Sequence, residues 1–358
     1  VRVSGWSVLT LAAAFLQSAA PGQNQLAAPP VDRSLARYAS TKDNVRLADG
    51  RELHFVCIGQ GSPTVILTAG LGDDASAWGT VQPAMAKITR VCAWDRPGFA
   101  LSDGSAQEQT VRTTAADLEA ALARGTIKGP YVLVSHSLGS YETLLFADQN
   151  PGAVAGMLLI DTSFPDQAAV ARKLLPGSAA ADMKRRADAV AFLRKCAAAL
   201  RSGTIKPGGA DPDQCFAYPS FLPPAFRAAL DTKIANPVQY ETLASFMANS
   251  DGAGSLVVNA ARNYGDKPLI VLTATRVNNA PGVRDAQKAE QAAFAVEWNR
   301  AHDALAALSS RGVNARVPGA GHYIHRDKPQ VVLDALAAVI TQARERKISP
   351  MRITWPAP

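Results

Sequence analysis

The chain has 358 residues, 47% of them hydrophobic, with 37 Lys and Arg against 30 Asp and Glu and a formal charge of +7. That length and apolar content suffice to bury a large core, and with no low-complexity tract they exclude a disordered chain. The basic residues are scattered, not gathered into a tract interleaved with aromatics. This argues against a nucleic-acid partner and leaves a solvated, mildly cationic surface that would attract anionic substrates or a membrane surface.

In chain order, Arg2 precedes an apolar stretch over residues 5–16, followed by Gln17-Ser18-Ala19-Ala20-Pro21-Gly22. A basic start, a short apolar run and a small-residue exit read as a secretory signal, residues 1–22. The run is too short to span a bilayer, so no stable membrane insertion is expected once the signal is removed, and a periplasmic or secreted protein is expected. Residues 23–40, rich in Ala, Pro, Gln and Ser, read as an extended linker. Residues 44–47 and 52–58 flank Asp49-Gly50, where glycine supplies the positive φ of a hairpin turn.

The pattern then changes. Short, nearly continuous apolar runs at 64–68, 90–94, 131–134, 157–160, 269–272 and 315–317 predict strands buried on both faces. Helix-like segments, among them 111–123, 140–149 and 328–344, lie between or after several of them, which predicts a mostly parallel, twisted sheet flanked by helices. The hundred or so residues between the fourth and fifth runs are too many for a simple crossover. They are Ala-rich and helical in pattern around 182–200 and rich in Pro and Gly around 207–224. Residues 164–265 therefore read as an inserted helical cap, dividing a core of 41–163 and 266–347.

The run at 131–134 leads into Ser135-His136-Ser137-Leu138-Gly139 and at once into a helical segment. A strand turning directly into a helix strains its central residue and lifts that side chain clear of the sheet, and the crowded flanks must be small. Ser137 is thus a candidate nucleophile. No Cys/His spacing suggests zinc and no Gly-rich loop precedes a Lys-Ser/Thr pair, so neither metal nor nucleotide cofactor is inferred.

This elbow, the glycine loop Thr68-Ala69-Gly70-Leu71-Gly72, the turn Asp95-Arg96-Pro97-Gly98-Phe99-Ala100-Leu101-Ser102 and the late Gly319-Ala320-Gly321-His322 occur in an order that resembles the α/β-hydrolase fold. The resemblance covers nearly all of the chain after residue 40 and is strongest to bacterial, often exported, serine hydrolases. Ala100 stands where the family's turn carries a second glycine, and Ser135 where its elbow carries the first. The resemblance implies His322 as the base, since it lies on the loop after the final strand. Of the other histidines, His54 sits in a strand, His136 is the elbow's variable residue, His302 reads as a helix-surface residue and His325 as a nearby polar contact.

Many relatives carry the acid after the penultimate strand, but residues 273–279 here hold no carboxylate. Other members carry it one strand earlier, which points to Asp161, with Asp166, Asp285 and Glu290 as alternatives. The oxyanion hole would be built from the backbone N–H groups of Leu71 and Leu138. Trp78 either lines the pocket or packs beneath the loop. Phe216, Tyr218, Phe221, Phe226, Tyr240 and Phe246 either roof the pocket or, for the most part, pack the cap's own core.

Four cysteines suit an exported chain and admit three pairings, or four buried free thiols. The implied fold makes the strands of Cys57 and Cys92 neighbours, which favours that pair and leaves Cys196 with Cys215. A serine nucleophile implies acyl transfer on a small-molecule ester, as in a carboxylesterase. A lactonase, amidase or perhydrolase would share the machinery, and a non-catalytic ligand-binding protein of this fold is the competing class. Nothing in the sequence bears on oligomeric state.

Overall fold

The computed structural model describes residues 30–276 and 285–345. The expected signal, residues 23–29 of the expected linker, and Asn278 and Asn279 lie outside the described residues. The described part of the linker is not simply extended. Residues Arg33–Ala39 form a 3-10 helix capped by the Asp32 carboxylate, and Leu35 and Tyr38 are buried.

A hairpin of β1 (Val45–Arg46) and β2 (Glu52–Leu53) leads into β3 (Phe55–Ile58) and β4 (Thr64–Thr68). The short α1 (Gln82–Met85), β5 (Val91–Trp94), α2 (Val111–Ala123), β6 (Tyr131–His136), α3 (Gly139–Gln149) and β7 (Val154–Ile160) follow. Next come four helices, α4 (Gln167–Leu174), α5 (Pro176–Arg201), α6 (Pro224–Ile234) and α7 (Pro237–Asn249). The chain returns to the sheet with β8 (Leu269–Ala274), α8 (Asp285–Ala306), β9 (Gly312–Val317), the short α9 (Ile324–Asp327) and α10 (Pro329–Glu345).

Among the described residues, seven strands form one sheet in the order β3-β5-β4-β6-β7-β8-β9. Strand β3 is antiparallel to β5 and every other neighbouring pair is parallel. The runs of β4 to β8 are nearly continuous in apolar residues because both faces are covered, whereas the edge strand β9, expected to be buried on both faces at 315–317, exposes Arg316 because no strand lies beyond it among the described residues. Val65, Val134, Ile160 and Leu272 point into a core closed by α10 through Val332, Leu336, Val339 and Ile340. Ile66, Leu133, Leu159 and Val271 point into a second core closed by Leu118 of α2, Leu144 of α3 and Leu305 of α8.

Cys57 and Cys92 face each other across the β3–β5 ladder and are joined by a disulfide, with Cα atoms 4.0 Å apart. A second disulfide joins Cys196 of α5 to Cys215, with Cα atoms 5.7 Å apart. Among the described residues no helix is long and apolar enough to cross a membrane.

The helices between β7 and β8 are held in two ways. Val190, Leu193, Cys196 and Ala197 of α5 pack with Tyr240, Ala244 and Met247 of α7 in a small core of their own. Helix α7 is also tied to the turn after β5, where Gln239 donates to the Ser102 carbonyl and the Thr242 hydroxyl accepts from the Ser105 N–H at 2.8 Å. The aromatics of this region divide. Phe216 and Tyr240 join the small core, Tyr218, Phe221 and Phe226 pack with the main core beside Leu35 and Tyr38, and Phe246 meets Phe99, Leu138 and Tyr141. Most of them thus do not pack within a separate core, because the 3-10 helix at Arg33–Ala39 and the sheet's loops share their apolar surface.

Candidate active site

Strand β6 and helix α3 meet at Ser137, whose φ of +52° is a left-handed conformation that a non-glycine residue adopts only when its surroundings hold it there. The Ser137 N–H donates to Ile160 O, and the Ser137 carbonyl accepts from the Ser163 N–H at 3.0 Å. Gly139 is required at the turn, since a Cβ there would collide with the carbonyl oxygens of Thr68 and Ala69. Ser135, in place of the family's glycine, is fully buried.

The structure brings Ser137, His322 and Asp161 together. His322 Nε2 lies 2.9 Å from Ser137 Oγ, and Nδ1 lies 2.7 Å from Asp161 Oδ2. A carboxylate only accepts, so Nδ1 carries the proton and the Nε2 lone pair faces the serine hydroxyl. The other Asp161 oxygen accepts from the Ala274 N–H at 2.9 Å and from Trp298 Nε1–H at 3.0 Å. Asp161 too has a positive φ, +40°, at the end of β7, and its N–H donates to Leu272 O of β8. The serine is therefore placed by β6 and the acid by the neighbouring β7. The histidine comes from the loop after β9, where its own carbonyl accepts at 2.9 Å from Nε2 of His136.

The alternative acids stay apart. Asp166 takes the N-cap position of α4 with no side-chain capping bond, Asp285 is an exposed side chain paired with Lys288, and Glu290 lies in the second turn of α8.

The remaining histidines have other environments. His54 Nδ1 lies 2.6 Å from Asp95 and Nε2 faces the Ser40 carbonyl, so neither nitrogen is open to a substrate. Burial works against its charge, but the Asp95 carboxylate outweighs it and raises the pKa. His302 is not on the surface as expected. It is fully buried where α8 meets the sheet, bonded to Thr273 Oγ1 and the Thr162 carbonyl, and burial lowers its pKa.

His136 and His325 lie beneath the site, their ring centroids 4.8 Å apart. Burial, reinforced by neighbouring cationic groups, pushes both well below the ordinary imidazole range. Trp78 packs fully buried against His325, ring centroids 4.9 Å apart, beneath the loop.

The backbone of Gly70 runs close to the elbow, where an added Cβ would sit 3.3 Å from that of Ser137 and 2.9 Å from His136 Nδ1. Leu71 follows, half-buried, and Leu138 begins the turn into α3; both border an apolar cluster with Phe99, Tyr141 and Phe246. Sequence reading missed Trp298, the third donor to Asp161. It stands four residues before His302 and seven before Leu305, a helical stripe that would have marked the buried face of α8.

A parallel sheet covered on both faces, a serine on a left-handed turn between strand and helix, and a histidine delivered from the loop after the last strand define an α/β-hydrolase fold. A family model described as "Alpha/beta hydrolase family" matches residues 65–335, and the chain belongs to that family. Among curated proteins, YqjL of Bacillus subtilis, described as uncharacterized, is 32% identical over 111 residues, covering 30% of this chain and 43% of that protein. The 2-hydroxy-6-oxononadienedioate/2-hydroxy-6-oxononatrienedioate hydrolase 2 of Pseudomonas putida is 28% identical over 133 residues, covering 34% and 45%. The matches thus span less than half the length of these relatives. Among solved structures, a thermophilic esterase from Thermogutta terrifontis aligns with a TM-score of 0.52 at 18% identity, covering 84% of this chain and 98% of that one. The epoxide hydrolase CorEH aligns with a TM-score of 0.50 at 19% identity, covering 81% and 95%. These two likenesses establish the fold alone.

Proposed function

We propose that the protein is a serine hydrolase of small-molecule carboxylic esters that works through an acyl-Ser137 intermediate. The observation that carries this reading is the unbroken hydrogen-bonded chain from Ser137 Oγ through His322 to Asp161 at a left-handed elbow. Ser137 Oγ bonds to the ester carbonyl carbon while His322 Nε2 takes its proton, and the carbonyl oxygen becomes an oxyanion facing the Leu71 and Leu138 N–H groups. Collapse breaks the bond to the alcohol oxygen, which takes the proton from His322. Water then attacks the acyl carbon, gives a proton to His322, and the carboxylic acid leaves as Ser137 regains its hydrogen. Asp161 holds the imidazole in the reactive tautomer and stabilises the imidazolium formed in each half.

Residues 164–265 would act as a cap that shapes the pocket, a role supported by Phe246 and Leu243 of α7 packing beside Leu71 and Leu138. Apolar lining around a few aimed polar groups suits an ester with an apolar acyl chain. Export is supported by the two disulfides, which persist outside reducing compartments.

The test is turnover of a p-nitrophenyl ester series from acetate to palmitate, with Ser137→Ala as the blank, and fluorophosphonate labelling of the folded protein. Turnover and labelling that both vanish in Ser137→Ala support the reading; equal rates in the two proteins reject it.

A further inference from the structure

Arg96, which follows β5, is 3% exposed, and Glu142, in the first turn of α3, is fully buried. The guanidinium engages both Glu142 oxygens, through Nε and Nη2, and the Thr114 hydroxyl of α2 donates to the same carboxylate at 2.9 Å. The rest of the fork points at the loop after β4. Nη2 donates to the Ala69 carbonyl at 2.6 Å and Nη1 to the Gly70 carbonyl at 3.0 Å. Phe246 of α7 covers the guanidinium, with the ring centroid 5.2 Å from Cζ.

A buried ion pair adds little net stability, because desolvating two charges offsets their attraction. Its geometry suggests a different use. In a trans peptide the C=O of one residue and the N–H of the next point in opposite directions. With the Gly70 carbonyl held by Arg96, the Leu71 N–H is turned away from the guanidinium. Glycine offers little resistance to rotation of that peptide, and within the loop the Gly70 carbonyl accepts only a long bond, 3.4 Å from the Asp73 N–H, so the charged fork of Arg96 at 3.0 Å is the stronger restraint.

We infer that Arg96, locked by Glu142 and Thr114, is a positioning residue that fixes the Gly70–Leu71 peptide so that the Leu71 N–H serves the oxyanion. The inference rests on the reading of Ser137 as nucleophile. Arg96 touches neither substrate nor reacting atoms. It acts through two carbonyls, and because Glu142 lies in the helix that begins at the nucleophile, the same bond holds loop and elbow in register.

The test removes both charges together, as Arg96→Met with Glu142→Met, to avoid leaving one buried alone. Folding is checked by circular dichroism. Turnover is measured on p-nitrophenyl butyrate, and affinity for an alkyl trifluoromethyl ketone, which Ser137 converts to a hemiketal oxyanion. Loss of one oxyanion donor lowers kcat roughly 100- to 1,000-fold, and the ketone should weaken by a similar factor while KM stays within about twofold. A folded double variant with wild-type kcat and ketone affinity, or with only KM altered, overturns the inference. Should the double variant not fold, Arg96→Lys keeps the charge but not the fork. It should lose roughly tenfold or more in kcat at unchanged KM, and unchanged kcat there is equally fatal. Ser137→Ala, assayed alongside, separates the two levels. Wild-type turnover in it defeats the nucleophile reading and this one with it, whereas an inert Ser137→Ala beside an unaffected Arg96 variant defeats this one alone.

Discussion

Replacing Asp161 by Asn should nearly abolish turnover without disturbing the fold. Its three partners, His322 Nδ1–H, the Ala274 N–H and Trp298 Nε1–H, all donate. An amide has one accepting oxygen. If that oxygen stays with Ala274 and Trp298, its NH2 faces His322, and the imidazole must move its proton to Nε2 to accept. Nε2–H cannot take the proton of Ser137. Asn tolerates positive φ about as well as Asp, so the backbone at +40° is no confounding change. The same tautomer error in a serine protease lowers kcat about 10⁴-fold, which corresponds to about 5.5 kcal/mol of barrier. Steady-state turnover of a p-nitrophenyl ester, with folding checked by circular dichroism, measures it. Asp161→Asn within about tenfold of wild type, beside a large loss in Asp166→Asn or Asp285→Asn, would refute the reasoning.

Three further outcomes are expected. Below the ordinary imidazole pKa of about 6.5 the unfolded chain protonates His136 and His325 while the fold keeps both neutral, so stability is full above that pH and falls as pH drops, by up to about 1.4 kcal/mol per unit for each ring. His325→Gln should remove one ring's share of that slope in urea midpoints taken between pH 7.5 and 5; an unchanged slope contradicts the assignment. Replacing Cys57 and Cys92 together by Ala should cost roughly 3–4 kcal/mol for a linkage spanning 35 positions, seen as a lower thermal midpoint that reductant lowers in the wild type as well. Gly139→Ala should cost about 1–3 kcal/mol of stability and slow fluorophosphonate labelling, because its methyl group meets the Thr68 and Ala69 carbonyls; labelling at the wild-type rate would show that the glycine loop does not set reactivity.

What could be read from the sequence was what local pattern encodes. Strand β4 and helix α2 appear where their apolar runs and spacing placed them, over Thr64–Thr68 and Val111–Ala123. The elbow was visible because a buried strand cannot turn into a helix without small residues such as Ser135 and Gly139. Asp161 was singled out through an absence, since residues 273–279 hold no carboxylate to meet the histidine. What escaped depends on distant partners. His302 was read as exposed although Trp298 and Leu305 share its helix face, because its polar partners, the Thr162 carbonyl and Thr273 Oγ1, lie far away in sequence across the sheet. Arg96 and Glu142 are 46 positions apart, and no local spacing ties a charged residue after one strand to another inside a helix. The 3-10 helix at Arg33–Ala39 lay in a segment whose composition suggested a linker, yet Leu35 and Tyr38 found apolar partners in α6.

The division of the site between early and late strands also fixes when the site can be complete. Ser137 and Asp161 hang on the adjacent, paired strands β6 and β7. The loop bearing His322 follows β9, the outermost strand on that side of the sheet. The hydrogen-bonded chain from Ser137 through His322 to Asp161 therefore cannot close before the last strand has docked.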